Sequence, residues 1–442
     1  MPPPRMKLLF LLLLASVAHA ALSPSDDPFY RPPSGWETKR PGTVLRSRSI
    51  QAARFYHIKW NITAFQLLYR STGADEEPSH TVTTVFVPEH ARPDELVVFG
   101  SYPDTPSNRC DPSYTLQYGS NMSNVLVTMS TLQVTVLLEQ GWIVTVPDQE
   151  GPTHAFSVGP LEGRMLLDGA RATLAYTGLG PNAKVIGCGY SGGGLSTGWA
   201  ASLQPRYAPK LPVIGWWIGG MPSNVSSLVR HLDGSAAAGF NVAGLGGIAN
   251  GFPAAKHALY ARLTDEGRRA LAFAYAHCSL EITFKYAFQN VLSEKYIRGG
   301  LQTFAEQPWN TILQRLTMGI RPEETPSAPV FYTHTVHDEI IPYGDANRTV
   351  HQWVKHGADV KFVSVTGPLM SHARVGTITL PLLVGFAKDR FAGRSIPKGL
   401  STKEMLNPLL DPSVSVQGLG EAWSILRSFT LPTPNRRHHH YR

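Results

Sequence analysis

Val185-Ile186-Gly187-Cys188-Gly189-Tyr190-Ser191-Gly192-Gly193-Gly194-Leu195-Ser196-Thr197 reads as a short apolar strand, a turn of small residues and the start of a helix. At its centre Gly189-Tyr190-Ser191-Gly192-Gly193 fits the G-x-S-x-G nucleophile elbow, in which a strained turn lifts a serine hydroxyl to the carboxyl end of a sheet. The helix that follows aims backbone N–H groups at the reacting atom. The same residues spell Gly187-x-Gly189-x-x-Gly192, a dinucleotide-binding fingerprint. That reading needs an acidic residue about 20 positions on to hold the ribose hydroxyls. From Pro181 to Leu232 there is none, so the elbow reading prevails.

Outward from this stretch, short apolar segments alternate with helical ones. Thr43 to Ser49, Ala64 to Arg70 and Thr81 to Val87 read as an antiparallel start, with a turn at Gly73 to Pro78. Glu95 to Tyr102, Trp142 to Val146, Val213 to Ile218, Val330 to Val336 and Val360 to Val365 read as buried strands. A helix is expected over Leu161 to Tyr176, and an extended arm over the Pro- and Gly-rich Pro28 to Gly42. Strands alternating with helices imply a mostly parallel sheet covered on both faces, an α/β architecture. More than a hundred residues separate the Val213 and Val330 strands, far beyond what a crossover needs. The expected organisation is a leader at 1–20, a first core part at 21–223, a helical cap inserted at 224–314, and a second core part with a tail at 315–442. Gly and Ala runs such as Ala238 to Ile248 would leave room under that cap for an apolar substrate.

An α/β-hydrolase triad runs serine, acid, histidine, each on a loop after a strand. Asp338 follows the Val330 strand and holds the acid's place, with Glu339 and Asp345 as competitors; Asp345 looks more like a helix N-cap. His372 follows the Val360 strand and precedes a helix expected over Thr377 to Phe391. His351 and His356 fall on an expected surface helix, and His438 to His440 in a basic tail. Ser191, Asp338 and His372 therefore form the candidate catalytic set, with the N–H of Gly192 as one oxyanion donor. No HGGG loop supplies the second; Gly100-Ser101-Tyr102-Pro103-Asp104 stands in its place.

Arg5 and Lys7, the apolar run Leu8 to Ala15 and Ala18-His19-Ala20 make an export signal, too short to span a bilayer. No later stretch is long enough to form an integral membrane segment, so a secreted chain beginning near Ala21 is expected. Removing the leader lowers the formal net charge of +8 by two. Lys and Arg are scattered with no aromatic-interleaved stripe, which disfavours nucleic acid. Sequons at Asn61, Asn121, Asn224 and Asn347 suit export. Of the 3 cysteines, Cys188 lies in the elbow strand, where a small buried thiol packs well, leaving Cys110 to pair with Cys278. There is no P-loop and no metal-ligand spacing, so neither cofactor nor metal is expected.

The chain resembles the fungal secretory lipases of the lipase A type, over nearly its whole mature length. The likeness lies in Asp26-Asp27-Pro28-Phe29-Tyr30, Ser101-Tyr102-Pro103-Asp104 with Cys110-x-Pro112-Ser113-Tyr114, Asp148-x-Glu150-Gly151, the elbow, Asp338-Glu339-Ile340-Ile341-Pro342-Tyr343 and His372. The resemblance implies an α/β-hydrolase with a helical cap before the acid and Ser191, Asp338 and His372 as the triad. It implies Asp104 and Gly192 at the oxyanion hole and a disulfide at Cys110 and Cys278. A carboxylate facing an oxyanion repels it, so Asp104 must donate through its backbone or stay protonated. Two departures stand out. No cysteine follows Cys278, where family members can carry a second disulfide in a C-terminal flap, and Gln149 replaces a histidine expected in the Asp148 motif.

The expected function is hydrolysis of acylglycerols or similar apolar esters, at a lipid–water interface. The alternatives are a short-chain esterase or deacetylase acting on a fungal secondary metabolite, and a non-catalytic binding protein on the same fold. A peptidase has no support, since nothing suggests recognition of a peptide N-terminus.

Overall fold

The computed structural model describes residues 20–55, 58–121, 124–180, 182–415 and 419. The leader up to residue 19, Met122 and Ser123 of one sequon, and the tail with His438 to His440 lie outside the described residues.

A 10-stranded sheet organises these residues. Its strands are β1 (Val44–Ser49), β4 (Thr63–Thr72), β5 (Pro78–Val87), β6 (Glu95–Gly100), β7 (Ile143–Pro147), β8 (Lys184–Tyr190), β9 (Val213–Gly219), β10 (Val330–Thr335), β11 (Val360–Val365) and β12 (Leu400–Met405). β2 (Ala53–Arg54) and β3 (Ile58–Lys59) form a separate small ribbon. The order is β1-β4-β5-β7-β6-β8-β9-β10-β11-β12. Pairing is antiparallel from β1 to β7 and parallel from β7 onward. The elbow strand β8 thus lies centrally, between β6 and β9.

Alternation along the strands builds a core on each face. On β6, Leu96 and Val98 join one cluster while Val97 and Phe99 join the other. One face is covered by α3 (Gly159–Thr177), α4 (Gly192–Tyr207) and α11 (Tyr343–Lys355), through Leu166, Trp199 and Trp353. The opposite face is covered by α2 (Val125–Leu138) and α13 (Leu380–Phe391), through Val134 and Phe386. A short α1 (Pro112–Thr115) precedes α2. Cys188 is fully buried in the second of these clusters.

Between β9 and β10 the chain makes six α-helices and one short 3-10 helix, Gly300–Ala305. The α-helices are α5 (Val225–Leu232), α6 (Gly239–Gly251), α7 (Pro253–Arg262), α8 (Asp265–Ala276), α9 (Ser279–Tyr286) and α10 (Trp309–Arg315). They have their own cluster, which packs Val242, Leu271, Ile282 and Trp309 against Phe156 before α3 and Leu161 in its first turn. Gly247 permits a close approach, since a Cβ there would come within 2.2 Å of the Phe156 carbonyl oxygen.

Four local expectations need correction. The helix expected over Thr377 to Phe391 is two helices, α12 (His372–Ile378) and α13, broken at Thr379. Pro381 enforces the break, because it has no N–H and would clash with the carbonyl four residues back. Asp345 is not an N-cap; Pro342 holds that position, and Asp345 pairs with Arg348 inside the first turn of α11. The arm from Pro28 to Gly42 contains two single-turn helices, Pro28–Tyr30 and Trp36–Thr38. β12 was not anticipated, because Leu-Ser-Thr-Lys-Glu-Met carries the polar side chains of an edge strand.

Candidate active site

Ser191 joins β8 to α4 with φ 56° and ψ −124°, a setting that L residues seldom adopt. It is held there from both sides. Its N–H donates to the Gly219 carbonyl at 3.0 Å and its own carbonyl accepts from Leu195 N at 2.9 Å. Gly193 lets the first turn of α4 lie on the end of β6; a Cβ there would sit 2.0 Å from the Gly100 carbonyl oxygen. Cys188, two residues before Tyr190, is no rival nucleophile, because burial pushes its thiol far above the usual range.

His372 is the first residue of α12, set by the Ser371 cap, whose hydroxyl accepts from Arg374 N. Its backbone N–H donates to Glu339 Oε2 at 2.9 Å, and its carbonyl accepts from the Tyr190 hydroxyl at 2.8 Å. The imidazole is thereby fixed between two partners. Nε2 lies 2.8 Å from Ser191 Oγ and Nδ1 lies 2.8 Å from Asp338 Oδ2. Asp338 Oδ1 accepts the N–H groups of Ile340 and Ile341, at 3.0 and 2.7 Å. Burial opposes the charge on Asp338, but the His372 charge and hydrogen bonds from His334 and His372 outweigh it and hold the carboxyl well below its usual range. The structure therefore brings Ser191, His372 and Asp338 together in one line. Glu339, the competitor, touches the His372 backbone rather than its ring.

Asp104 lies in the loop after β6, in the left-handed region at φ 52°. Its buried Oδ1 has no hydrogen-bond partner and overlies Gly192, where a Cβ would come within 1.8 Å. Burial pushes this carboxyl up to about 7, with the His372 charge pulling it down. The Asp148-x-Glu150 motif holds the surrounding loop. Asp148 accepts from Ser113 N at 2.7 Å, Gln149 Nε2 donates to the Ser101 carbonyl at 2.8 Å, and Glu150 accepts from Thr105 N at 3.3 Å. Gln149 is thus a loop anchor. Burial, then Glu162 and Asp104, push Glu150 well above its usual range; burial and Asp104 do the same to Glu162. Cys110 and Cys278 are joined, tying this loop to the N-terminus of α9.

Among the sequons, Asn61 and Asn121 are exposed, Asn224 caps α5 by accepting from Ser227 N, and Asn347 is half-buried within α11. Two residues at the site escaped the sequence reading, His334 and Tyr332 of β10. The available signal was a histidine in a fully buried strand, four residues before Asp338.

Ser191, Gly192, Asp104 and His372 open on a cavity of about 510 Å³. Its other walls include Leu126 and Met129 of α2, Leu228 and Phe240 of the inserted helices, and Ile340. Among the described residues no group of three or more His, Cys, Asp or Glu could hold a metal ion. No helix among them is long and apolar enough to cross a membrane.

Residues 116–399 match the model of the secretory lipase family. A secreted triacylglycerol lipase of Malassezia restricta is 42% identical over 423 residues, covering 93% of this chain and 90% of its own. Another from Malassezia globosa is 40% identical over 433 residues, covering 93% and 92%. The crystal structure of Candida antarctica lipase A in its closed state superposes with a TM-score of 0.84 at 31% identity, covering 92% of this chain and 96% of that one. With the elbow serine on a central parallel strand of an α/β-hydrolase sheet, these likenesses place the chain: it belongs to the secretory lipase family.

Proposed function

We propose that the chain is an exported triacylglycerol lipase in which Ser191, His372 and Asp338 are the catalytic triad. The observation that carries this is the unbroken line of hydrogen bonds from Ser191 Oγ through His372 to Asp338 Oδ2. His372 Nε2 takes the Ser191 proton as Oγ attacks the ester carbonyl, and Asp338 fixes the tautomer and stabilises the imidazolium. His372 then returns the proton to the leaving alcohol, and water resolves the acyl-enzyme by the reverse route. Export and triacylglycerols are supported by the relatives, which are named secreted triacylglycerol lipases.

The helices from α5 to α10 act in this reading as the cap, and their apolar side chains with Leu126 and Met129 receive the acyl chain. Exposed Met129, Phe284 and Leu369, the last 83% exposed, lie on or beside segments that line the cavity. They would face a lipid–water interface. Hydrolysis of p-nitrophenyl esters and triacylglycerol emulsions across chain lengths tests the substrate class. Rates on medium or long chains should exceed that on acetate by at least about tenfold, because each buried CH₂ contributes about 0.8 kcal/mol. A profile confined to acetyl and butyryl esters would sink the lipase assignment and leave a short-chain esterase.

Asp104 is proposed to donate to the oxyanion as a neutral acid, beside the N–H of Gly192 at the start of α4. Support comes from its unpaired Oδ1 over Gly192 and a carboxyl pushed up to about 7. A raised carboxyl is protonated below that pH and ionised above it, so this contribution is lost as pH rises through about 7. Expected is a fall in kcat/KM of up to about tenfold per pH unit above that point. Asp104→Asn, whose amide still donates, should flatten the fall. A wild-type profile level from mildly acidic to alkaline pH would rule the acid form out.

A further inference from the structure

We propose that His334 is a positioning residue of the catalytic carboxylate, its Nε2–H fixing Asp338 Oδ2 in the line of His372. This rests on the triad reading above and extends it by one residue. His334 is completely buried in β10. Its Nε2 lies 3.1 Å from Asp338 Oδ2 and 3.2 Å from the Ile341 carbonyl oxygen, and its Nδ1 lies 3.0 Å from the Tyr332 hydroxyl. That hydroxyl in turn accepts from Met221 N at 3.2 Å.

The network decides the tautomer. Around Nε2 there are only acceptors, a carboxylate and a carbonyl, so Nε2 must carry a proton. Tyr332 uses its oxygen to accept from Met221 and gives its own proton to Nδ1. A neutral His334 with its proton on Nε2 satisfies every group in the chain, from Met221 to Asp338. The opposite tautomer would point a lone pair at Oδ2 and repel it.

The consequence concerns Oδ2, the oxygen that serves His372. The N–H groups of Ile340 and Ile341 anchor only Oδ1. Oδ2 sits between two imidazoles, and without His334 its place would be set by His372 alone. His372 changes charge in each half of the reaction, so a carboxylate held by it alone can rotate as the imidazolium forms and discharges. His334, which takes no part in proton transfer, holds Oδ2 through both steps. By binding the Ile341 carbonyl as well, it ties the loop carrying Asp338, and Glu339 beside it, to the strand. A plain core histidine would contribute packing and stability but would not set turnover.

Two amides at position 334 separate these roles. In His334→Gln the side-chain N–H₂ reaches the place of Nε2 and can still donate to Asp338, whereas in His334→Asn it reaches only the place of Nδ1. Expected is a fall in kcat of about 10- to 100-fold for His334→Asn with KM within about twofold, as loss of alignment predicts. His334→Gln should recover to within about threefold of wild type. The low-field proton resonance of the His372 Nδ1–H···Asp338 bond should weaken or move in the first variant and return in the second. Equal kcat for both amides, at any level, would overturn the proposal, as would a His334→Asn enzyme within twofold of wild type. If neither amide variant folds, Tyr332→Phe carries the test: freeing the tautomer should lower kcat about 3- to 10-fold, and an unchanged kcat overturns it. Labelling of wild-type Ser191 by a fluorophosphonate, run alongside, keeps the outcomes apart, since its failure would remove the triad reading itself.

Discussion

Ser191→Ala should lower kcat for ester hydrolysis by about 10⁶-fold, equivalent to about 8 kcal/mol of transition-state stabilisation. The magnitude follows from how the three side chains act as one unit. Ser191 Oγ and Asp338 Oδ2 each lie 2.8 Å from one nitrogen of the same imidazole, so removing the hydroxyl leaves His372 no proton to move. A Ser191→Ala, His372→Ala double variant should therefore lose little more than either single change. Substrate binding should survive, because the cavity walls do not depend on the hydroxyl. The measurement is kcat and KM on a soluble ester with purified protein, paired with fluorophosphonate labelling of the wild type. Activity within tenfold of wild type in Ser191→Ala would assign the chemistry elsewhere.

The second large effect concerns stability. Replacing both Cys110 and Cys278 by serine should destabilise the fold by up to about 5 kcal/mol in the chain-entropy model, because the bond joins residues 168 apart in sequence. That is a large part of the 5–15 kcal/mol typical of a folded domain. Urea unfolding with tryptophan fluorescence would report it as a shift in midpoint, and a double variant within about 1 kcal/mol of wild type would refute it. The bond also has a local task. It joins the loop carrying Asp104 to the start of α9, a junction otherwise held by polar contacts such as Thr105 Oγ1 to the His277 carbonyl at 2.9 Å. Catalysis in the double variant should consequently fall even where it remains folded, with an effect on kcat larger than on KM.

The proposals form a graded set around one imidazole. Ser191 and Asp338 touch it directly, His334 steadies the carboxylate behind it, and Asp104 shares with it the wall facing the oxyanion. Each has a different signature: near-complete loss for Ser191, a kcat effect with amide rescue for His334, and a pH limb for Asp104. Because Asp104 and His334 lie on opposite sides of the serine, on the β6 loop and on β10, their effects should combine nearly additively.

What the sequence determined by itself was the alternation of strands and helices, the elbow, and the two loops that follow β10 and β11. These are local patterns. The continuous apolar runs of β6 and β8, buried on both faces, and the small residues around Ser191 are contiguous in sequence, so they can be read without knowledge of the partners. The acid-free stretch after the elbow was equally local, and it removed the nucleotide reading. β12 was missed because an edge strand exposes one rail to water and tolerates Ser, Thr, Lys and Glu, so its apolar signal is weak. The break at Thr379 turned on a single proline that a continuous apolar pattern concealed.

Tertiary structure alone decided which of these residues meet. His334 could not be told from a core histidine until β10 and its loop placed Nε2 against the carboxylate that His372 uses. Asp104 looked electrostatically wrong for an oxyanion hole in the sequence. Its burial over Gly192, against the opposing pull of the His372 charge, is what pushes its carboxyl up to about 7, the basis for proposing it as a neutral acid. The physical reason is common to both. A side chain's chemistry depends on its solvation and on neighbours distant in sequence, and those are fixed only when the chain has closed around them.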